Sequence, residues 1–110
     1  MKATPVKVAG KMYPIKYGFA ALRAFSDVTG TTLQRMDQLA SNMTLTQAIA
    51  LVWAGMKDGA RVTGEDFSLE LDDVADLLDA DSEGLSRVLD VFVQSMEAPA
   101  NNKGTAKKKK

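Results

Sequence analysis

The sequence predicts a mainly α protein of the α+β class: an N-terminal β-hairpin over about residues 4–16, four to five short helices, and a disordered basic tail over 98–110. Three observations predict it. Alternating β-compatible residues open the chain, apolar residues then recur at three- and four-residue steps, and that periodicity stops before Pro99. At 110 residues and 45% hydrophobic composition the chain is sized for one core, so residues 1–97 are expected as a single compact unit.

In "TPVKVAGKMYPIKYG" Val6 and Val8 alternate with Lys7, "AG" breaks the pattern, and Met12, Tyr13 and Ile15 resume it, which predicts the hairpin. Pro14 cannot donate to a ladder, so its strand lies at an edge or stops pairing there. After Gly18 the period turns helical. Ala21, Leu22, Phe25 and Val28 predict a helix over about 19–29, with Gly30 as its C-terminal stop. Thr31 or Thr32 can cap a shorter piece in which Leu33, Met36 and Leu39 share a face. Thr44 and Gln47 form a capping box ahead of the clearest helix. Its stripe is Leu45, Ile49, Val52, Trp53 and Met56, and Gly59 is the expected stop. "ARVTGEDF" is then expected as a loop. Ser68 is the expected cap of an acidic helix with Leu71, Val74, Leu77 and Leu78 on one side. A last helix from Asp81 or Ser82 carries Leu85, Val88, Leu89, Phe92 and Met96. Beyond Pro99 there is no apolar period to offset ordering entropy.

Composition excludes several chemistries. With neither cysteine nor histidine, the chain has no disulfide, no thiolate metal site and no histidine-activated serine. The longest apolar run, "AIALVWAGM", falls short of the ~20 residues a membrane span takes. "MKATPVKV" has no signal-peptide core, and the whole fits a reducing cytoplasm. The formal net charge of zero hides three blocks. Residues 1–35 hold six basic side chains and one acid, 36–97 hold three basic and thirteen acidic, and 98–110 hold five lysines.

Candidate sites are few. Asp72, Asp73, Asp76, Asp79, Asp81 and Glu83 cluster, and "DADSEG" partly matches a calcium loop. Counted from Asp79, however, position twelve is Asp90 where a bidentate glutamate is needed, so a solvated acidic face is the better reading. No nucleophile elbow or phosphate-binding glycine loop is present in the sequence. The expectation is a protein without catalytic residues, metal or cofactor. Met12, Met36, Met43, Met56 and Met96 fit either core filling or an adaptable binding surface. Trp53, Met56, Leu89, Phe92 and Met96 are the candidate partner-binding residues, if they are exposed. Lys107, Lys108, Lys109 and Lys110 would bind nucleic acid only weakly and without specificity.

"VKVAGKMYPIKYGFAALRAFSDVTGTTL" followed by "LTQAIALVWAGMKDG" resembles the tail assembly chaperones of long, flexible-tailed bacteriophages. The resemblance is carried by the hairpin, by Tyr17 and Gly18 ahead of the first helix, by Thr29 and Gly30 after it, and by Trp53, Ala54, Gly55 and Met56. It covers about half the chain. It implies a non-enzymatic protein of the host cytoplasm, absent from the mature virion, that binds the tape measure protein until the tail tube polymerises. It also implies a −1 frameshift-extended form that recruits the tail tube protein, with self-association left open. On that reading the codons of Lys107 to Lys110 are the slippery site. The alternatives are a small regulator that uses its basic tail on nucleic acid, or a minor structural tail component.

Overall fold

The computed structural model describes residues 3–39 and 41–97. The expected basic tail, including Lys107 to Lys110, lies outside them. Strands β1 (Thr4–Val8) and β2 (Lys11–Ile15) pair antiparallel in a two-stranded sheet. Helices α1 (Phe19–Thr29), α2 (Leu45–Thr63), α3 (Leu71–Ala80) and α4 (Ser82–Glu97) follow, with a 3₁₀ segment Leu33–Gln38 between α1 and α2. The fold is mainly helical with an N-terminal hairpin.

The hairpin turns through Ala9 and Gly10, both at positive φ (53° and 83°), as a two-residue turn matching the twist of its strands requires. Counting outward from the turn, Val8↔Lys11 is a hydrogen-bonded pair and Pro5↔Pro14 a non-hydrogen-bonded one. The missing proline N–H groups therefore cost the ladder nothing, and pairing continues past Pro14 to Thr4↔Ile15. Ala9 lacks the conformational freedom of glycine, and α4 supplies the compensation. The Asp81 carboxylate accepts from the Ala9 N–H at 3.0 Å, and Arg87 donates both to Asp81 (3.0 Å) and to the Lys7 carbonyl (2.9 Å).

That clamp gives one prediction. The Ala9 amide first, then the Arg87 hydrogen bond, hold the Asp81 carboxyl below its ordinary value. A carboxylate whose folded pKa is depressed stabilises the fold above its unfolded pKa and loses that contribution as pH falls through the folded value. The stability gap between wild type and Asp81→Asn should therefore be flat above the ordinary aspartate pKa of about 3.9 and narrow as pH falls below it. Urea midpoints measured across that range check it.

Helix α2 is the axis of the molecule, packed against β2, α1, α3 and α4. Its N-terminus carries the expected capping box: the Gln47 N–H donates to the Thr44 hydroxyl (3.1 Å) and the Thr44 N–H to Oε1 of Gln47 (2.9 Å). The Gln47 amide also donates to the Thr31 hydroxyl at 3.3 Å, which ties the exit of α1 to the start of α2. Its C-terminus corrects two expectations. Gly59 does not stop the helix, and residues 60–63 of the supposed loop are helical. The stop is Gly64, at φ 77°, whose N–H closes on the Ala60 and Arg61 carbonyls.

Gly59 has another purpose. A Cβ there would lie 1.9 Å from the Pro14 carbonyl oxygen, and one at Gly55 would lie 2.5 Å from the Tyr17 ring. The two glycines let β2 and the following residues rest directly on the helix backbone, with the Lys16 N–H donating to the Gly55 carbonyl at 3.1 Å.

The start of α3 is also corrected. Ser68 is not its cap. The cap residue is Glu70, whose N–H donates to Asp73 at 2.8 Å, because the preceding Leu69 carbonyl is turned to the Trp53 indole N–H at 3.0 Å. The core has two clusters. One holds Phe25, Met36, Leu39, Leu51 and Phe92 between α1, α2 and α4, and the other holds Val8, Ile15, Val52, Met56, Val74 and Val88 under the hairpin. Tyr17 and Trp53 touch both. The side chain of Leu33 is outside the described residues.

Candidate functional site

The five residues picked as a partner surface do not form one. Met56 and Phe92 are each 1% exposed and sit in different core clusters. Leu89 is half-buried against the first cluster, and Trp53 is half-buried with its N–H satisfied by Leu69. Only Met96 is exposed. The cause is that α2 is covered on two sides, by the hairpin with α4 and by α1. Of the stripe read as one face plus a wet edge, Val52 and Met56 are enclosed and Ile49 and Trp53 are half-buried.

Among the described residues the large exposed apolar side chains are Met12, Phe19, Val28, Leu45 and Met96, and α1 is the one element that carries two of them. This helix buries Ala21 and Phe25. Phe19, at its first position, is 83% exposed, and Val28, expected on the buried face, is 44% exposed. Leu45, expected in the apolar stripe of α2, points outward at the start of that helix. A buried apolar face and a solvent face of α1 read alike in sequence, because Phe19, Ala20, Ala24 and Val28 are as apolar as their buried neighbours. The legible signal was the density of apolar residues around the whole of α1, more than one face can bury.

Three hollows border this helix. One of about 250 Å³ runs between α1 and α2, with Ala20, Ala24 and Ala54 among its lining residues, Lys57 and Arg61 at its rim, and Phe67 on the far side. A second, of about 400 Å³, is lined by Phe19, Leu22, Arg23 and Met36. A third, of about 380 Å³, lies between Val28, Trp53 and the beginning of α3. The walls are mainly apolar; the first hollow carries Lys57 and Arg61 together with Asp58 and Glu65, the second carries Arg23, and the third carries Glu70 and Asp72. The Lys57 ammonium stands 5.8 Å from the centre of the Trp53 ring, at the attractive face of its quadrupole.

Two carboxylates line the first hollow, the exposed Glu65 and Asp58, and Asp58 is already committed. Asp58, 2% exposed, accepts from Arg61 at 3.0 and 2.7 Å, from the Lys16 ammonium at 3.4 Å and from the Gly18 N–H at 3.4 Å. This buried triad locks β2 and the entry of α1 to α2, and leaves Asp58 no free lone pair aimed at a substrate. Tyr17 is likewise structural. Its hydroxyl donates to the Leu51 carbonyl at 2.7 Å, its ring meets Phe92 edge-on at 5.3 Å, and burial pushes its phenol far above the ordinary range.

The acidic cluster is dispersed. Asp72, Asp73, Asp76, Asp79 and Glu83 are exposed along α3 and the start of α4, and Asp81 is engaged with Ala9 and Arg87. Among the described residues no group of three or more acidic side chains could hold a metal ion, and no helix is long and apolar enough to cross a membrane.

Of the positions that carry the resemblance to phage tail assembly chaperones, Tyr17, Gly18, Trp53, Gly55 and Met56 lie about one joint, and Thr29 and Gly30 lie at the other end of α1. Tyr17 packs on Gly55, Gly18 donates to Asp58, and Trp53 and Met56 pack in the adjoining core. Comparison with protein-family models, with curated proteins and with solved structures returned no match.

Proposed function

We propose that this chain is a tail assembly chaperone of a long, flexible-tailed bacteriophage: a non-enzymatic protein that holds the tape measure protein in the host cytoplasm until the tail tube forms around it. The observation that carries this reading is α1, whose solvent side keeps Phe19, Ala20 and Val28 open and is bordered by three mainly apolar hollows. A monomeric protein rarely leaves such a patch uncovered unless something binds there. The wall chemistry suits an amphipathic helical client, with its apolar face in the hollows and its acidic side chains toward Arg23, Lys57 and Arg61. The sequence resemblance gives the client its identity. Recruitment of the tail tube protein falls to the frameshift-extended form.

Co-expression with the tape measure protein from the same tail gene cluster tests the proposal. The client should be soluble beside the wild-type chain. The soluble fraction should fall by at least about half with Phe19→Asp, which places a charge where an apolar contact is needed. A tape measure protein equally insoluble with and without the chain rejects the function, and an unaffected Phe19→Asp rejects the surface.

A further inference from the structure

Between α1 and α2 the chain runs along the first core cluster as a strap, residues 32–43. Its middle is the 3₁₀ segment Leu33–Gln38, longer than the three or four residues over which that poorer hydrogen-bond geometry usually persists. Both ends are pinned, and Gln47 holds each of them: its backbone N–H donates to the Thr44 hydroxyl and its side-chain amide to the Thr31 hydroxyl. The buried Thr31 is fastened further by its own N–H, which donates to the Thr29 hydroxyl at 3.2 Å, and by its carbonyl, which accepts from Ser26 at 2.8 Å. Between the pins the bonding changes. The Arg35, Leu39, Ser41 and Asn42 N–H groups donate to carbonyls of Thr32, Met36 and Gln38, all inside the strap. Among the described residues no hydrogen bond of 32–43 reaches another element. What holds the middle down is the burial of Met36 and Leu39 in the first cluster, with half-buried Met43 beside them.

We propose that residues 32–43 open as one unit, swinging between Thr31 and Thr44 while the helices stay folded, and so act as a hinged cover over the first core cluster. The way the strap is fastened is the reason. Its hydrogen bonds travel with it and its pins stay in place, so lifting it breaks no bond to the rest of the molecule. The cost is the apolar surface uncovered when Met36 and Leu39 leave the cluster, a small part of what global unfolding exposes. Met36 is also a wall of the hollow lined by Phe19, Leu22 and Arg23. Lifting the strap extends that hollow inward, toward Phe25, Ala50 and Leu51. The second cluster has no cover of this kind. It lies under the hairpin, which is tied to α2 by the Lys16 N–H on the Gly55 carbonyl and to α4 by Asp81 and Arg87. The inference concerns the chain by itself and does not depend on what the client is.

Thiol labelling of the native full chain tests it, since the chain has no cysteine of its own. Ala50→Cys and Val52→Cys each place one thiol at a buried position of α2, about 200° apart around the helix, the first in the cluster under the strap and the second in the cluster under the hairpin. Each rate is divided by that of the same variant unfolded. The Ala50→Cys thiol should then react at least about 100-fold faster than the Val52→Cys thiol. Its rate should stay nearly constant in urea below the unfolding transition, because the opening exposes little surface, whereas the Val52→Cys rate should climb as steeply as global unfolding. Peroxide oxidation of the wild-type chain, read by mass spectrometry, is a second measurement that needs no variant to fold. Met36 and Met56 are both buried, and Met36 should convert to its sulfoxide at least about tenfold faster. An Ala50→Cys rate equal to that of Val52→Cys, an Ala50→Cys rate with the urea dependence of global unfolding, or a Met36 oxidised no faster than Met56 would each overturn the proposal.

Discussion

Replacing Gly59 by alanine is expected to destabilise the fold by about 3 kcal/mol or more, a fall in Tm of at least about 12 °C. The sign of the effect is what makes the experiment informative. In an exposed helix interior the same change stabilises by about 1 kcal/mol, because alanine loses less backbone entropy on folding. Here the new methyl group would lie 1.9 Å from the Pro14 carbonyl oxygen and 2.8 Å from the Ile15 nitrogen. Both are backbone atoms, with no rotamer by which to yield. The hairpin must lift from α2, which strains the Lys16 N–H···Gly55 carbonyl bond and opens the cluster beneath Ile15. Thermal unfolding followed by circular dichroism decides between the two signs. A Tm equal to or above that of wild type would mean that β2 does not rest on this helix.

Asp58→Ala is the second large effect, at about 3–4 kcal/mol of stability lost. The attraction between the charges contributes little of this, since burying them cost much of what their pairing returns. The loss comes from what is left behind: a Lys16 side chain only 9% exposed with no anion beside it, and a Gly18 N–H with no acceptor. This separates two accounts of the triad. If the penalty is an orphaned buried cation, adding Lys16→Met to Asp58→Ala should recover about half of the loss or more. If the charge pair itself supplies the stability, the double variant should be no better than the single. Urea unfolding of the four proteins in the cycle measures it. Arg61 contributes less, because its side chain is 61% exposed and solvent screens its bond to Asp58.

Much of the architecture was legible because local signals agreed with tertiary packing. The Thr44/Gln47 box satisfies backbone groups that any helix starting there would leave open, and Gly30 takes a left-handed conformation that suits few other residues. The hairpin followed from alternation interrupted by Ala9 and Gly10. Where expectations failed, a glycine or a serine had two uses that sequence does not distinguish. Gly59 reads as a stop and is a point of close approach, and Ser68 reads as a cap although the Trp53 indole takes the carbonyl that follows it. The candidate surface was missed for a related reason. Sequence ranks Trp53, Met56 and Phe92 as the large adhesive side chains, whereas packing buries Met56 and Phe92 and leaves Phe19 and Val28 of α1 in the open.

By itself, then, the sequence determined the hairpin, the helical segments, the capping box of α2 and the absence of cysteine and histidine chemistry, because each depends on composition or on residues close together in the chain. Tertiary structure alone decided which side of α1 stays wet, that Asp58 is spent on Lys16, Gly18 and Arg61, and that Asp81 holds the Ala9–Gly10 turn through the Ala9 N–H. Those outcomes join residues 40 and 72 positions apart: the packing of β2 and the entry of α1 on α2 brings the first pair together, and the packing of α4 on β1 the second.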